Sequence, residues 1–188
     1  MLSAKQAILI QRNDGSPEGF NRGWQDFKVG FGDRNGPDGV YWLGNEVMHQ
    51  LTKADPLTGE YRFKLSIELL GKDGKLDWIT YDSFFVDNET QQYNLRLGAH
   101  SGTTGNADAG GLAGHTTWAK FSTKDFDNDN YMAGKCVKNE NGAGFWYDRC
   151  GYMFLNSQNM RWSYPVGIYS ITKEMKYVRM YISHRDKP

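Results

Sequence analysis

Alternation with a period of two is the clearest pattern in the chain. Over residues 61–69, Tyr61, Phe63, Leu65, Ile67 and Leu69 alternate with Arg62, Lys64, Ser66 and Glu68, which predicts a strand with one face buried and one in water. Gly71-Lys72-Asp73-Gly74 follows with turn chemistry and predicts a hairpin onto the apolar stretch 76–86. Tyr93, Leu95 and Leu97 predict another strand. A last one is placed at 174–183, where Tyr177, Arg179 and Tyr181 alternate with Lys176, Val178, Met180 and Ile182. The apolar run within 5–11 predicts a short buried strand, closed by Asn13-Asp14-Gly15-Ser16-Pro17. Helical spacing is rarer. Trp24 and Phe27 share one face of a short helix, with Asn21 as its cap and Gly30 and Gly32 as its stop. Val47, Met48 and Leu51 predict a second helix, from Asn45 to before Pro56.

From Gly98 to Ser170 periodicity is largely lost, and unpatterned stretches of that length are uncommon unless they carry function. The Gly-rich run 101–114 lacks the Gly-Lys-Ser/Thr ending of a phosphate loop and opens no helical pattern, so it is read as plain loop. The expected architecture is α+β, in a single domain over 1–188. An antiparallel sheet with short helices occupies about 1–100 and is rejoined by the strand 174–183. An irregular lobe fills about 101–173.

Charge narrows the function classes. The 22 basic residues balance the 22 acidic ones, which argues against nucleic acid as a partner. No apolar run approaches the roughly 20 residues of a membrane span. No basic-then-apolar leader follows Met1, so a secretion signal is cleaved, replaced by a start Met, or absent. Cys136 and Cys150 are the only cysteines. They are either two reduced structural thiols or a disulfide. The Asn- and Gly-containing segment between them, with no Cys-x-x-Cys and no His nearby, moves the balance towards a disulfide and hence an extracellular protein. Such a bond would contribute about 3 kcal/mol by restricting the unfolded chain. Between Lys124 and Tyr131, Asp125, Asp127 and Asp129 alternate. This is either a solvated acidic turn or a site for a hard cation such as Ca2+ that takes oxygen ligands. In the second case Asp127 and Asp129 supply side chains, and the carbonyls of Tyr131 and Ala133 complete the shell. The four His residues are scattered and no catalytic spacing appears, so no enzyme is expected.

Several runs resemble the fibrinogen C-terminal domain family. Gln11-Arg12-Asn13-Asp14-Gly15-Ser16, Phe20-Asn21-Arg22-Gly23-Trp24 and Gly30-Phe31-Gly32 are similar to its opening signature, and Tyr41-Trp42-Leu43-Gly44-Asn45-Glu46 to its second block. Tyr81-Asp82-Ser83-Phe84 and Tyr93-Asn94-Leu95-Arg96-Leu97 resemble its central strands. The run 121–129, with Cys136, Phe145-Trp146-Tyr147, Cys150 and Leu155-Asn156, resembles its calcium-and-pocket block. The family's N-terminal subdomain, with its own cysteine pair, has no counterpart in the chain.

The resemblance implies a fibrinogen C-terminal-like fold, a Cys136–Cys150 disulfide, and Ca2+ held by Asp127, Asp129 and the carbonyls of Tyr131 and Ala133, with Gly134 as the alternative to Ala133. In lectin members of the family an acetyl pocket lies beside the calcium, where the peptide before the second cysteine is cis. Here that places Arg149, Cys150, Gly151, Tyr164 and Trp146 at a ligand site, with a cis Arg149–Cys150 bond. Some positions depart from the family pattern: Gly151 where sugar-binding members often have His, Glu140 or Asn141 where an aromatic is usual, and Ser157 where Gly is usual. The function expected on this basis is a secreted, calcium-dependent lectin for N-acetylated sugars of the GlcNAc or GalNAc type, on microbial or cell-surface glycans. Because single sugar sites are weak, it is expected to be a homo-oligomer. The alternative is a receptor- or peptide-binding interaction module of the same fold.

Overall fold

The computed structural model of the chain describes residues 7–17, 19–103, 118–166 and 169–185; the side chains of 164–166, 169 and 170 lie outside that description. The alternating run becomes β4 (Phe63–Gly71), and Phe63, Leu65, Ile67 and Leu69 are all buried, as period two requires. Its partners are β5 (Leu76–Tyr81) through the predicted hairpin and β13 (Tyr169–His184), both antiparallel, with Ile67 opposite Ile79 on one side and Met180 on the other. On its far side β13 takes β1 (Ile8–Asn13), which pairs in turn with β3 (Tyr41–Trp42) and through it with β2 (Phe31–Gly32). The opposite edge is β8 (His100–Gly102), which pairs β5. Ser101 and Gly102 therefore belong to an edge strand, and 104–114 of the run read as loop lie outside the described residues.

The C-terminal strand begins earlier than its alternation indicates. Residues 169–174 pair with β12 (Arg161–Val166) before the strand enters the main sheet, and the register shifts between Met175 and Tyr177 where β13 passes from one partner to the other. β12 also carries β11 (Met153–Phe154). The stretch 76–86 is not one strand. It breaks at Asp82-Ser83, and β6 (Phe84–Val86) leaves the main sheet to pair with β7 (Leu95–Leu97).

Both predicted helices form, with different details. In α1 (Trp24–Val29) Phe27 is buried, but Asn21 is not the cap: Gly23 holds that position with no side-chain bond of its own. In α2 (Asn45–Thr52) the inward face is Asn45, Met48 and Thr52, while Val47 and Leu51 are 40% and 37% exposed. Two of its polar atoms are paired: Trp42 Nε1 donates to Asn45 Oδ1 at 2.9 Å, and Thr52 Oγ1 donates to Met48 O at 2.7 Å, while the buried Asn45 Nδ2 has no partner among the described residues.

The lobe after β8 is anchored to this sheet by aromatic packing and by buried amides. Phe27, Trp42, Phe121 and Trp146 meet with ring centroids 5.0–5.7 Å apart, the separation of favourable tilted and edge contacts. From β1, Gln11 Nε2 donates to Leu155 O (3.2 Å) and Asn156 Oδ1 (3.1 Å), and Asn13 Nδ2 to Leu155 O (2.9 Å) and Ser157 O (3.0 Å). Those bonds hold two wholly buried polar side chains, Gln11 at the end of the predicted strand and Asn13 in the residues read as its closing turn, although Gln11 Oε1 has no partner among the described residues.

Candidate functional site

The acidic segment is built on β9 (Phe121–Ser122), which pairs with β10 (Phe145–Trp146) and so brings residues 123–130 against 147–150. Local bonds then fold the segment. Asn128 Nδ2 donates to Phe121 O at 2.8 Å, and the Asn128 amide donates to Ser122 Oγ at 3.0 Å. Asn130 donates from its amide to Asp148 O (2.7 Å) and from Nδ2 to Asp148 Oδ1 (2.6 Å). Asp129 accepts the Tyr131 amide at 2.8 Å and the Cys136 amide at 2.9 Å.

The three aspartates separate into two roles. Asp125 is the missing cap of α1: its carboxylate accepts the Trp24 amide at 2.9 and 3.2 Å and the Thr123 hydroxyl at 2.7 Å. Gly23 permits that approach, since a Cβ there would lie 2.8 Å from Asp125 Oδ2. Asp127 and Asp129 face each other. Burial first, and then the neighbouring Asp127 carboxylate, push the Asp129 carboxyl above its ordinary range, although two amide donors work against the rise. Lys135 Nζ stands 3.6 Å from Asp127 Oδ2. Two carboxylates facing each other suit a hard cation, which would relieve their repulsion. No group of three or more His, Cys, Asp or Glu side chains converges among the described residues, so further ligands would be main-chain oxygens. Tyr131 and Ala133 lie in the exposed turn just beyond, where Tyr131 O already accepts the Gly134 amide at 3.3 Å.

Cys136 opens the one-turn helix α3 (Cys136–Asn139) and is joined to Cys150 in a disulfide with Cα atoms 4.9 Å apart. The expected cis bond is absent: among the described residues every peptide is trans. The chain turns here instead by two successive left-handed residues, Cys150 at φ 68° and Gly151 at φ 73°. Arg149 is exposed beside them. Tyr164 lies in β12 opposite Ile171, and its side chain is outside the described residues. Trp146 cannot wall a pocket. It is wholly buried in the aromatic core, and its Nε1 donates to Tyr93 O at 2.8 Å.

Of the two positions at which the family's usual aromatic could fall, Asn141 is exposed and Glu140 forms a buried ion pair. Its carboxylate takes Arg161 Nη1 at 3.0 Å and Nη2 at 2.6 Å, together with the Ser157 hydroxyl at 2.5 Å; the Arg161 guanidinium lies 4.0 Å from the centroid of the Phe154 ring. Glu140 is 4% exposed, and its charge adds to the burial that raises the Tyr147 phenol. Glu140 therefore offers no apolar wall, because its charge is already paired within the protein.

An open cleft of about 490 Å³ lies beside α3. Its walls include Asn21, Thr123 and Gly142 and three lysines, Lys124, Lys135 and Lys138, against one carboxylate, Asp127. Lys124 Nζ donates to Asn21 O at 3.1 Å, which fixes one wall, while Lys138 is exposed with no carboxylate partner among the described residues. Gly142, at φ 81°, closes the end, and a Cβ there would meet Asn21 Oδ1 at 2.4 Å. These lysines escaped sequence reading because they become a set only when residues near 21 meet residues 124–142.

The chain belongs to the family described as fibrinogen beta and gamma chains, C-terminal globular domain, whose model matches residues 4–178. Among its relatives is angiopoietin-1 of Bos taurus, 42% identical over 149 residues, covering 79% of this chain and 27% of that protein. Fibrinogen-like protein 1 of Bos taurus is 37% identical over 169 residues, covering 87% and 50%. The chain thus spans about half, or less, of the length of these relatives. The fold matches the fibrinogen-like globe domain of human ANGPTL2 with a TM-score of 0.73 at 30% identity, covering 96% of this chain and 81% of that one. It also matches lamprey fibrin D-dimer, complexed with the peptide ligand Gly-His-Arg-Pro-amide, with a TM-score of 0.75 at 26% identity, covering 97% and 62%. These findings overturn the expected calcium-dependent lectin. The relatives are angiopoietin-1 and fibrinogen-like proteins, and the lamprey neighbour holds a peptide.

Proposed function

We propose that the chain is an extracellular, non-catalytic interaction domain that holds an acidic segment of a protein partner in the cleft beside α3. The observation that carries this reading is the charge of the cleft, three ammonium groups against a single carboxylate in about 490 Å³ of open space. The peptide held by the lamprey neighbour supports the class of partner, not its sequence. The disulfide supports the oxidising compartment, and among the described residues no helix is long and apolar enough to cross a membrane. Ca2+ bound by Asp127, Asp129 and the carbonyls of Tyr131 and Ala133 would hold the loop bordering the cleft. The expected homo-oligomer rested on the weakness of single sugar sites and loses that support.

Selection of displayed peptides on the immobilised domain tests the reading. Enriched sequences should be rich in Asp and Glu, resist displacement by N-acetylglucosamine, and bind the Lys124→Glu/Lys138→Glu variant at least about tenfold more weakly, the equivalent of roughly 1.4 kcal/mol. Peptides without acidic bias, or bound equally by the charge-reversed domain, would refute it.

A further inference from the structure

Asn88-Glu89-Thr90 is the one Asn-x-Ser/Thr run in the sequence, and the structure displays it at an exposed turn between β6 and β7. Asn88 has extended backbone, φ −75° and ψ 174°, and caps the single 3-10 turn Glu89–Gln91. Its Oδ1 accepts the Thr90 hydroxyl at 2.6 Å and the Gln91 amide at 3.2 Å. Its Nδ2 has no hydrogen-bond partner among the described residues. Asn88 and Thr90 are exposed, whereas Glu89 between them is turned to α1, accepting Trp24 Nε1 at 2.8 Å and Lys28 Nζ at 2.7 Å.

We infer that Asn88 is an N-glycosylation site. Asparagine with a hydroxyl residue two positions on is the acceptor that oligosaccharide transfer requires, on condition that the segment is accessible and the middle residue is not proline. Here the two atoms of the Asn88 amide divide the work. Oδ1 takes the Thr90 hydroxyl and caps the turn, and Nδ2 is the free nucleophile. In the transfer, the Nδ2–C1 bond forms as the C1–O bond to a lipid-pyrophosphate-linked oligosaccharide breaks. The electron pair of that bond leaves with the pyrophosphate, and Nδ2 gives up one proton. The product is still an amide whose carbonyl accepts, so the cap on Gln91 survives modification. Glu89, anchored to α1, holds the turn in the same shape before and after. The sequon shares no residue with the lining of the cleft beside α3.

The inference rests on the extracellular reading above, because the donor and its transferase belong to the secretory route. The test is secretion of the full 188-residue chain from cultured animal cells behind a cleavable signal, followed by peptide-N-glycosidase digestion and mass spectrometry. The secreted chain should gain mobility on digestion, with Asn88 converted to Asp. Thr90→Ser should keep the shift, while Thr90→Val and Asn88→Gln should lose it. Because Thr90→Ser and Thr90→Val alter the same exposed position, their contrast separates loss of the acceptor from failure to fold. A secreted chain with the Cys136–Cys150 bond closed and no glycan overturns the site alone, as does a shift that persists in Asn88→Gln. A chain retained with free thiols and no glycan overturns the extracellular reading and the site with it.

Discussion

Arg161→Met isolates the buried ion pair between Glu140 and Arg161. The substitution keeps an apolar stem over Phe154 but removes both guanidinium donors from Glu140, which remains 4% exposed with only the Ser157 hydroxyl beside it. Breaking a buried pair from one side destabilises by about 3–5 kcal/mol, mostly because the surviving charge is stranded. The Arg161 side chain is 33% exposed, and water can partly replace it, so the low end, about 3 kcal/mol, is the working figure. At about 2–4 °C per kcal/mol for a domain of this size, the melting temperature should fall by roughly 6–12 °C. Glu140→Leu in the same background should recover much of that loss, since no charge is then left without a partner. Thermal and urea unfolding of the two single variants and the double variant form a complete cycle. A loss below about 1 kcal/mol for Arg161→Met, or a double variant as unstable as the two singles summed, would show that the pair is not the buried unit described.

Three further outcomes follow from the same geometry. Asp125→Ala removes the cap of α1 and should reduce stability by about 1 kcal/mol in thermal unfolding, with Asp125→Asn recovering most of it; equal losses would mean the carboxylate is not acting as an acceptor. Asp127→Asn should leave stability in chelator unchanged or slightly higher, because it relieves the repulsion on Asp129, yet should abolish the gain from added Ca2+, about 2.7 kcal/mol at a hundredfold excess over Kd. Equal response of both proteins to calcium would separate Asp127 from any ion. For pH, the Lys28 ammonium, and after it the Trp24 indole N–H, hold the Glu89 carboxyl below its ordinary value of 4.5. A lowered acid stabilises the fold above its unfolded value and loses that contribution as pH falls through the folded one. The stability gap between wild type and Glu89→Gln should therefore be present at neutral pH and close in acid; a gap independent of pH would assign it to packing.

Legibility divided along the distance between partners. β4 and the hairpin to β5 were readable because alternation and a Gly-Lys-Asp-Gly-like turn are local, and the aspartates and cysteines of the lobe were readable as spaced residues. Asp125 was grouped with the other two aspartates, although its carboxylate serves a helix some hundred positions earlier, at Trp24. α2 buries Met48 as its apolar spacing predicts, but Asn45 and Thr52, which read as polar, take the inward places of Val47 and Leu51 through bonds with Trp42 and Met48. Gln11 and Asn13 were masked in the same way. The Glu140 position showed its departure from the family in sequence, but Arg161 and Ser157, which decide what that departure does, come together only through β12 and the turn before it.

The place of β13 has a consequence for synthesis. It lies between β1 and β4, so the first strand and the middle strand of the main sheet have no contact ladder between them until the strand ending at His184 is made. A growing chain on the ribosome can close the hairpin of β4 and β5 early. The aromatic cluster above the sheet, however, waits on a floor whose central plank arrives last. Long-range closure of this kind is slow relative to helix or hairpin formation. During that interval the apolar face of β4, already patterned for burial, is open to association with other chains.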